Sequence, residues 1–141
     1  MVVEHSIITT AKPQTVFAIY AKVDEWNRWD PDTQASHLSA GLTLGSKGVL
    51  TPTKGKAVPM EVTAVQPNQS FTVTSKIPLF QMVFDHELSP VAQGTKITHR
   101  VVFSGLLSFL LGKVVGKQVD AGLPITLQRL KSLAESLENK G

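Results

Sequence analysis

The chain has 141 residues, with 14 Lys+Arg against 11 Asp+Glu, a formal net charge of +3 and no cysteine, which excludes disulfide staples and thiolate metal sites. At 42% hydrophobic and 18% charged residues it is a globular sequence, and a single domain over 1–141 buries roughly two-thirds of its unfolded surface. The basic excess does not point to nucleic acid: residues 1–45 are net acidic, and the one basic cluster, Lys47, Lys54 and Lys56, is broken by turn residues and lacks interleaved aromatics, the pattern of a lysine-protected edge.

Residues 2–9 (VVEHSIIT) are rich in β-branched side chains and predict a first strand. Acidic Glu4 precedes any apolar run, so no export signal is read here, and a cytoplasmic protein is expected. Thr10 then precedes AKPQTVFAIYAKV, where Pro13 suits a first helical turn and Val16, Phe17, Ile19, Tyr20 and Val23 supply an apolar face. Asp24 is expected to cap a second short helix over Glu25–Trp29, which Pro31 ends.

From residue 33 the pattern changes to strands and turns: Thr33–Ser39, Gly48–Thr53, Val58–Val65, Ser70–Ile77, Phe80–Leu88 and Thr95–Ser104. The short connections imply antiparallel neighbours. After Gly105 the pattern is helical to the end. Leu123, Leu127, Leu130, Ala134 and Leu137 form a one-sided stripe, while Pro124 and the glycines at 112, 116 and 122 predict a first segment that is broken or kinked. The apolar run Val101–Gly116 falls short of the ~20 residues that a bilayer span requires, so no transmembrane segment is expected.

Six strands followed by one long helix leave that helix as the cover for the apolar sheet face. Its stripe has too few large side chains to fill a strongly curved sheet, so an interior space is expected. Strand 80–88 places Phe80, Met82, Phe84, His86 and Leu88 on one face, and strand 95–104 places Ile97, His99, Val101 and Phe103 on one face. With a hairpin loop centred near residues 92–93, His86 and His99 fall opposite or diagonal to each other.

Two histidines among phenylalanines and a methionine suit a general acid/base pair or a ligand-orienting pair, because the ordinary imidazole value near 6.5 falls further on burial. The plainer reading is a pair of structural histidines bonded to backbone or water. Trp26 and Trp29, three apart, share a helix face and serve either as an aromatic lid or as an anchor for the short helix. No metal-ligand spacing, nucleophile elbow, phosphate loop or dinucleotide fingerprint occurs, so neither a metal nor a cofactor is expected.

The segments VFAIYAKVDEWNRWDPD, MEVTAVQPNQSFTV, GTKITHRVVFSG and GLLSFLLGKVVGKQVDAGLPITLQRLKSLAE together resemble the helix-grip superfamily of START-like lipid-transfer domains, polyketide cyclases/dehydrases and birch-pollen-allergen-like proteins. The likeness covers essentially the whole chain and is greatest to the small bacterial polyketide-cyclase/dehydrase-like branch. It implies an α+β helix-grip fold: a curved antiparallel sheet of about seven strands around a long C-terminal helix, with two short helices after the first strand.

It also implies a hydrophobic cavity; the alternation, the helix stripe and the Trp pair give Trp26, Trp29, Phe80, Met82, Phe84, His86, His99, Val101, Phe103, Leu123 and Leu127 as the expected ligand-binding residues. Tyr20 and Arg28 are further polar residues that could serve there. Three functions follow as expectations. The first is a carrier or binder of a small hydrophobic molecule. The second is a polyketide cyclase or dehydratase with His86 or His99 moving protons. The third is a membrane-surface or protein-partner module using residues 106–115 with Lys113 and Lys117.

Overall fold

The computed structural model describes residues 1–140. Seven strands, β1 (Val2–Thr9), β2 (Thr33–Leu38), β3 (Lys47–Pro52), β4 (Val58–Gln66), β5 (Ser70–Ile77), β6 (Phe80–Val91) and β7 (Gly94–Ser104), form one sheet in the order β1-β7-β6-β5-β4-β3-β2. Every neighbouring pair is antiparallel. Hairpins build the sheet from β2 to β7, and the first strand closes on the last. Helix α1 (Pro13–Ala21) and a 3₁₀ segment (Val23–Arg28) carry the chain from the β1 edge to the β2 edge. Register shifts at Thr33/Ala35 and Val62/Ala64 mark bulges, which bend a strand and increase its twist. Helix α2 (Ser108–Lys140) lies over the sheet, packing mainly on β1 and β7 and only lightly on β6. This is the expected α+β helix-grip arrangement.

Three local expectations are corrected. The second short helix is 3₁₀ and begins at Val23, so Asp24 sits inside its first turn and makes no cap. Six residues are too few to repay α-helix nucleation, and 3₁₀ geometry is common in such connectors.

The final helix runs unbroken through Pro124. Its glycines are close contacts rather than breaks. Gly112 and Gly116 face Phe103 and Met1, and a Cβ on Gly122 would meet the Asp32 carboxylate. Asp32 lies in a turn held by the Asp30 carboxylate, which accepts the Asp32 N–H at 3.0 Å and the Thr33 hydroxyl at 2.8 Å. Of the apolar stripe, Leu127, Leu130 and Ala134 are buried, whereas Leu137 is exposed.

The start of α1 has no cap from its own Lys12 side chain. Instead, Glu138 near the end of α2 accepts the Lys12 N–H at 2.5 Å and the Thr15 hydroxyl at 2.7 Å, and Glu135 accepts the Thr9 hydroxyl at 2.7 Å. A carboxylate there satisfies an orphan donor and complements the helix dipole. Among the described residues, no helix is long and apolar enough to cross a membrane.

Candidate functional site

Residues directly opposite each other in an antiparallel pair point to the same face, so the register fixes which side chains meet. Val91 pairs with Gly94, which centres the β6–β7 turn on residues 92–93 and sets His86 directly opposite His99. His99 also stands opposite His5, and His86 opposite Phe71. One transverse row under the helices therefore reads His5, His99, His86, Phe71.

The histidine row lies on the boundary between two hydrophobic clusters. Toward one side the next residues on the same face, Ile7, Ile97 and Leu88, belong to the larger cluster beneath α1 and the C-terminal half of α2. Toward the other side, Val3, Val101 and Phe84 belong to a smaller cluster beneath the first half of α2.

The larger cluster closes over the row with aromatic rings. Tyr20, fully buried on α1, brings its hydroxyl to 2.8 Å from His99 Nε2. The His86 ring stacks on Phe71 with centroids 3.9 Å apart, and meets His99 edge-on at 4.6 Å. His86 Nδ1 lies 3.2 Å from the Phe71 carbonyl. A carbonyl only accepts, so Nδ1 carries the proton and the neutral ring presents the Nε2 lone pair as an acceptor. Trp26 donates its indole N–H to the Tyr20 carbonyl at 2.8 Å. The indole N–H of Trp29, buried beside Tyr20 and His99, has no partner among the described residues.

Loss of hydration sets the charge state. Burial pushes His86 down to about 4. It holds His99 well below its ordinary value, with neighbouring His86 adding to the effect. Burial also drives the Tyr20 phenol upward. At neutral pH both imidazoles are therefore uncharged and the phenol keeps its proton. The outer end of the row differs: His5 is one-third exposed and reaches Asp120 of α2 at 2.6 Å.

The smaller cluster is less completely closed. Met82, Phe84 and Ile77 from the sheet are only partly buried, and so are Leu111, Val115, Val119 and Leu123 from α2. Because α2 packs mainly on β1 and β7 and only lightly on β6, these apolar side chains of its first half and of β5–β6 keep part of their surface uncovered. We term this surface the β6–α2 groove. His86 follows Met82 and Phe84 at alternate positions on the same face of β6 and, unlike His99, keeps some accessible surface.

Two other depressions lie elsewhere. One of about 60 Å³, between α1, the 3₁₀ segment and the end of α2, is lined by Ile19, Trp29, Arg28 and Leu133. It is small beside the ~300–1,000 Å³ of ordinary ligand sites. The other, of about 300 Å³, is rimmed by Lys22, Asp24, Glu25 and His37. That charged rim does not suit an apolar ligand.

The sequence profile of the family described as polyketide cyclase / dehydrase and lipid transport matches residues 1–135. The chain belongs to this family. Solved structures agree in fold. Protein MLL2253 from Mesorhizobium loti superposes with a TM-score of 0.75 at 18% identity, covering 96% of this chain and 98% of that one. TTHA0849 from Thermus thermophilus gives 0.76 at 15% identity, with coverages of 97% and 99%. The di-domain ARO/CYC StfQ from the steffimycin biosynthetic pathway gives 0.79 at 13% identity, over 98% of this chain and 51% of StfQ. At these identities the likeness shows the family's fold alone. No curated protein matches the chain significantly in sequence.

The residues expected to bind ligand separate into three places. Met82, Phe84 and Leu123 border the groove, with Phe80, Val101 and Phe103 buried beneath it. His86 and His99 form the row between the clusters. Trp26, Trp29 and Leu127 lie in the closed larger cluster, where both indoles are buried rather than exposed as a lid. Arg28 is solvent-facing and pairs with Glu25 at 2.8 Å, away from the row. Neither His5 nor Asp120 carries a local signal in the sequence; only the β1–β7 pairing brings His5 beside His99.

Proposed function

We propose that this family member binds a small hydrophobic molecule, of lipid, polyketide or aromatic type, between the sheet and the first half of α2, as a carrier or binding protein. The observation that carries this reading is a set of half-buried apolar side chains ending at the neutral His86 ring. Ligand sites are mostly apolar with a few placed polar groups. The His86 lone pair would accept a hydrogen bond from a hydroxyl or acid group of the ligand.

The test is a fluorescence titration with 1-anilinonaphthalene-8-sulfonate, repeated with a Leu123→Trp variant whose larger side chain fills the groove. Saturable binding at one site, lost in the variant, is expected. Absence of saturable binding, or equal binding by a folded variant, overturns the reading.

A second reading, cyclase or dehydratase chemistry, draws on the contact chain Tyr20–His99–His86. An acid/base catalyst works best with a value near the operating pH, and a His86 value near 4 makes that ring a poor proton carrier. Binding is therefore favoured. Turnover of a polyketide-type substrate that falls in both His86→Ala and His99→Ala would reverse the preference.

A further inference from the structure

Where α2 begins, two glycines face inward beside Leu111 and Val115, while several other large apolar residues face outward. Gly112 and Gly116 are buried against Phe103 and Met1. By contrast, Phe109 is 65%, Leu110 57% and Val114 68% exposed. A helix serving only to cover a core would carry polar residues at these outward positions. Leu106, at 75%, and Leu79, at 57%, extend the same surface. The Leu107 N–H donates to the Leu79 carbonyl at 2.9 Å, which fixes the β5–β6 turn beside the start of the helix. Contiguous exposed apolar surface of this kind marks an interaction site.

Charge decides what covers it. Segments 76–84 and 101–119 contain Lys76, Lys113 and Lys117 and no acidic residue; Asp120, next on the same helix face, is engaged by His5 at 2.6 Å. Lys113 and Lys117 follow Phe109 at successive four-residue steps, so they stand on the same helix face, one and two turns behind the apolar tip. A twofold dimer through this surface would bring two lysine-bearing patches together, with no acidic residue of segments 76–84 or 101–119 to pair with them. An anionic lipid surface is complementary: the apolar tip enters the boundary between headgroups and acyl chains, while lysine stems lie along apolar surface and hold their ammonium groups among the headgroups.

We propose that residues 106–117, together with the Leu79 turn, dock this protein onto anionic membrane surfaces without spanning them. The proposal rests on exposure and charge alone and stands independently of what the groove binds.

Flotation of the full chain with phosphatidylcholine vesicles, with and without phosphatidylserine, tests it. Binding to the phosphatidylserine vesicles, weakening as salt is added, is expected. Lys113→Gln and Lys117→Gln should each reduce it about five-fold, and Phe109→Ser with Leu110→Ser should abolish it while the thermal midpoint holds. The proposal is overturned if wild type fails to float with phosphatidylserine vesicles, if it floats equally with pure phosphatidylcholine, or if the lysine variants bind unchanged. It is also overturned if the apolar tip proves to hold two copies of the chain together, read as a dimer that Phe109→Ser splits.

Discussion

The sharpest consequence of the histidine row is a loss of stability on mild acidification. An imidazole held neutral by the fold is protonated first in the unfolded chain, so the unfolded state binds more protons below its ordinary value near 6.5. The contribution of His86 is therefore whole above about pH 6.5 and declines as pH falls toward its folded value of about 4. At pH 5 the unfolded ring is almost fully charged and the folded ring almost fully neutral, which costs about 2 kcal/mol relative to pH 7. For a chain of this size that corresponds to roughly 6 °C in the thermal midpoint. His99 acts in the same direction.

Urea unfolding at pH 7 and pH 5, on wild type and on His86→Phe, isolates the effect, because the carboxylates common to both proteins cancel in the difference. Wild type should lose about 2 kcal/mol more than the variant. If the variant is too unstable to compare, the His86 ring proton followed by NMR in wild type should titrate well below 6. Parallel losses in the two proteins, or a ring midpoint near 6.5, would refute the reasoning.

Removing the hydroxyl in Tyr20→Phe leaves a buried His99 nitrogen without its partner, and urea unfolding should show a loss of about 1–3 kcal/mol; a change within about 0.5 kcal/mol would mean that the bond contributes nothing net. Glu138, held below its ordinary value by the Lys12 N–H and the Thr15 hydroxyl, stabilises the fold above its unfolded value and loses that contribution as pH falls through the folded one. Glu138→Gln should accordingly be less stable than wild type at pH 7 and match it in acid; a gap that widens on acidification would contradict the assignment. A Cβ on Gly48 would overlap the backbone carbonyl of His37 on the neighbouring strand, which cannot move aside as a side chain can. Gly48→Ala should cost about 3–5 kcal/mol in urea unfolding, and near-neutrality would show that the β2–β3 contact is loosely held.

The legible parts of the fold were those governed by local period and turn chemistry. Strict alternation in 80–88 and 95–104, joined by a turn at 92–93, was enough to put His86 and His99 side by side. The strand ends β5 and β1 likewise follow from β-branched runs and their bounding turns. What local pattern does not carry is partnership across the chain. Tyr20 reads simply as one apolar position of a helix, yet its hydroxyl partner is 79 residues away. His5 reads as an isolated histidine until the first strand closes on the last. Pro124 misled in the other direction: it weakens a helix by removing one backbone donor, but the packing of Gly122, Thr126, Leu127 and Leu130 on either side of it holds the helix continuous. The groove itself was foreseen only as a shortage of large side chains; that α2 leans toward β1 and β7 is a property of the assembled sheet.

The methionine methyl groups test the central claim most directly. The chain has three methionines: Met82 beside the groove, Met60 buried in the larger cluster and Met1 exposed at the surface. In a carbon–proton methyl spectrum recorded while 1-anilinonaphthalene-8-sulfonate is added, the Met82 signal should shift saturably while Met60 stays in place. A shift confined to Met1, or no shift at Met82 at saturation, would contradict a ligand site between β6 and α2.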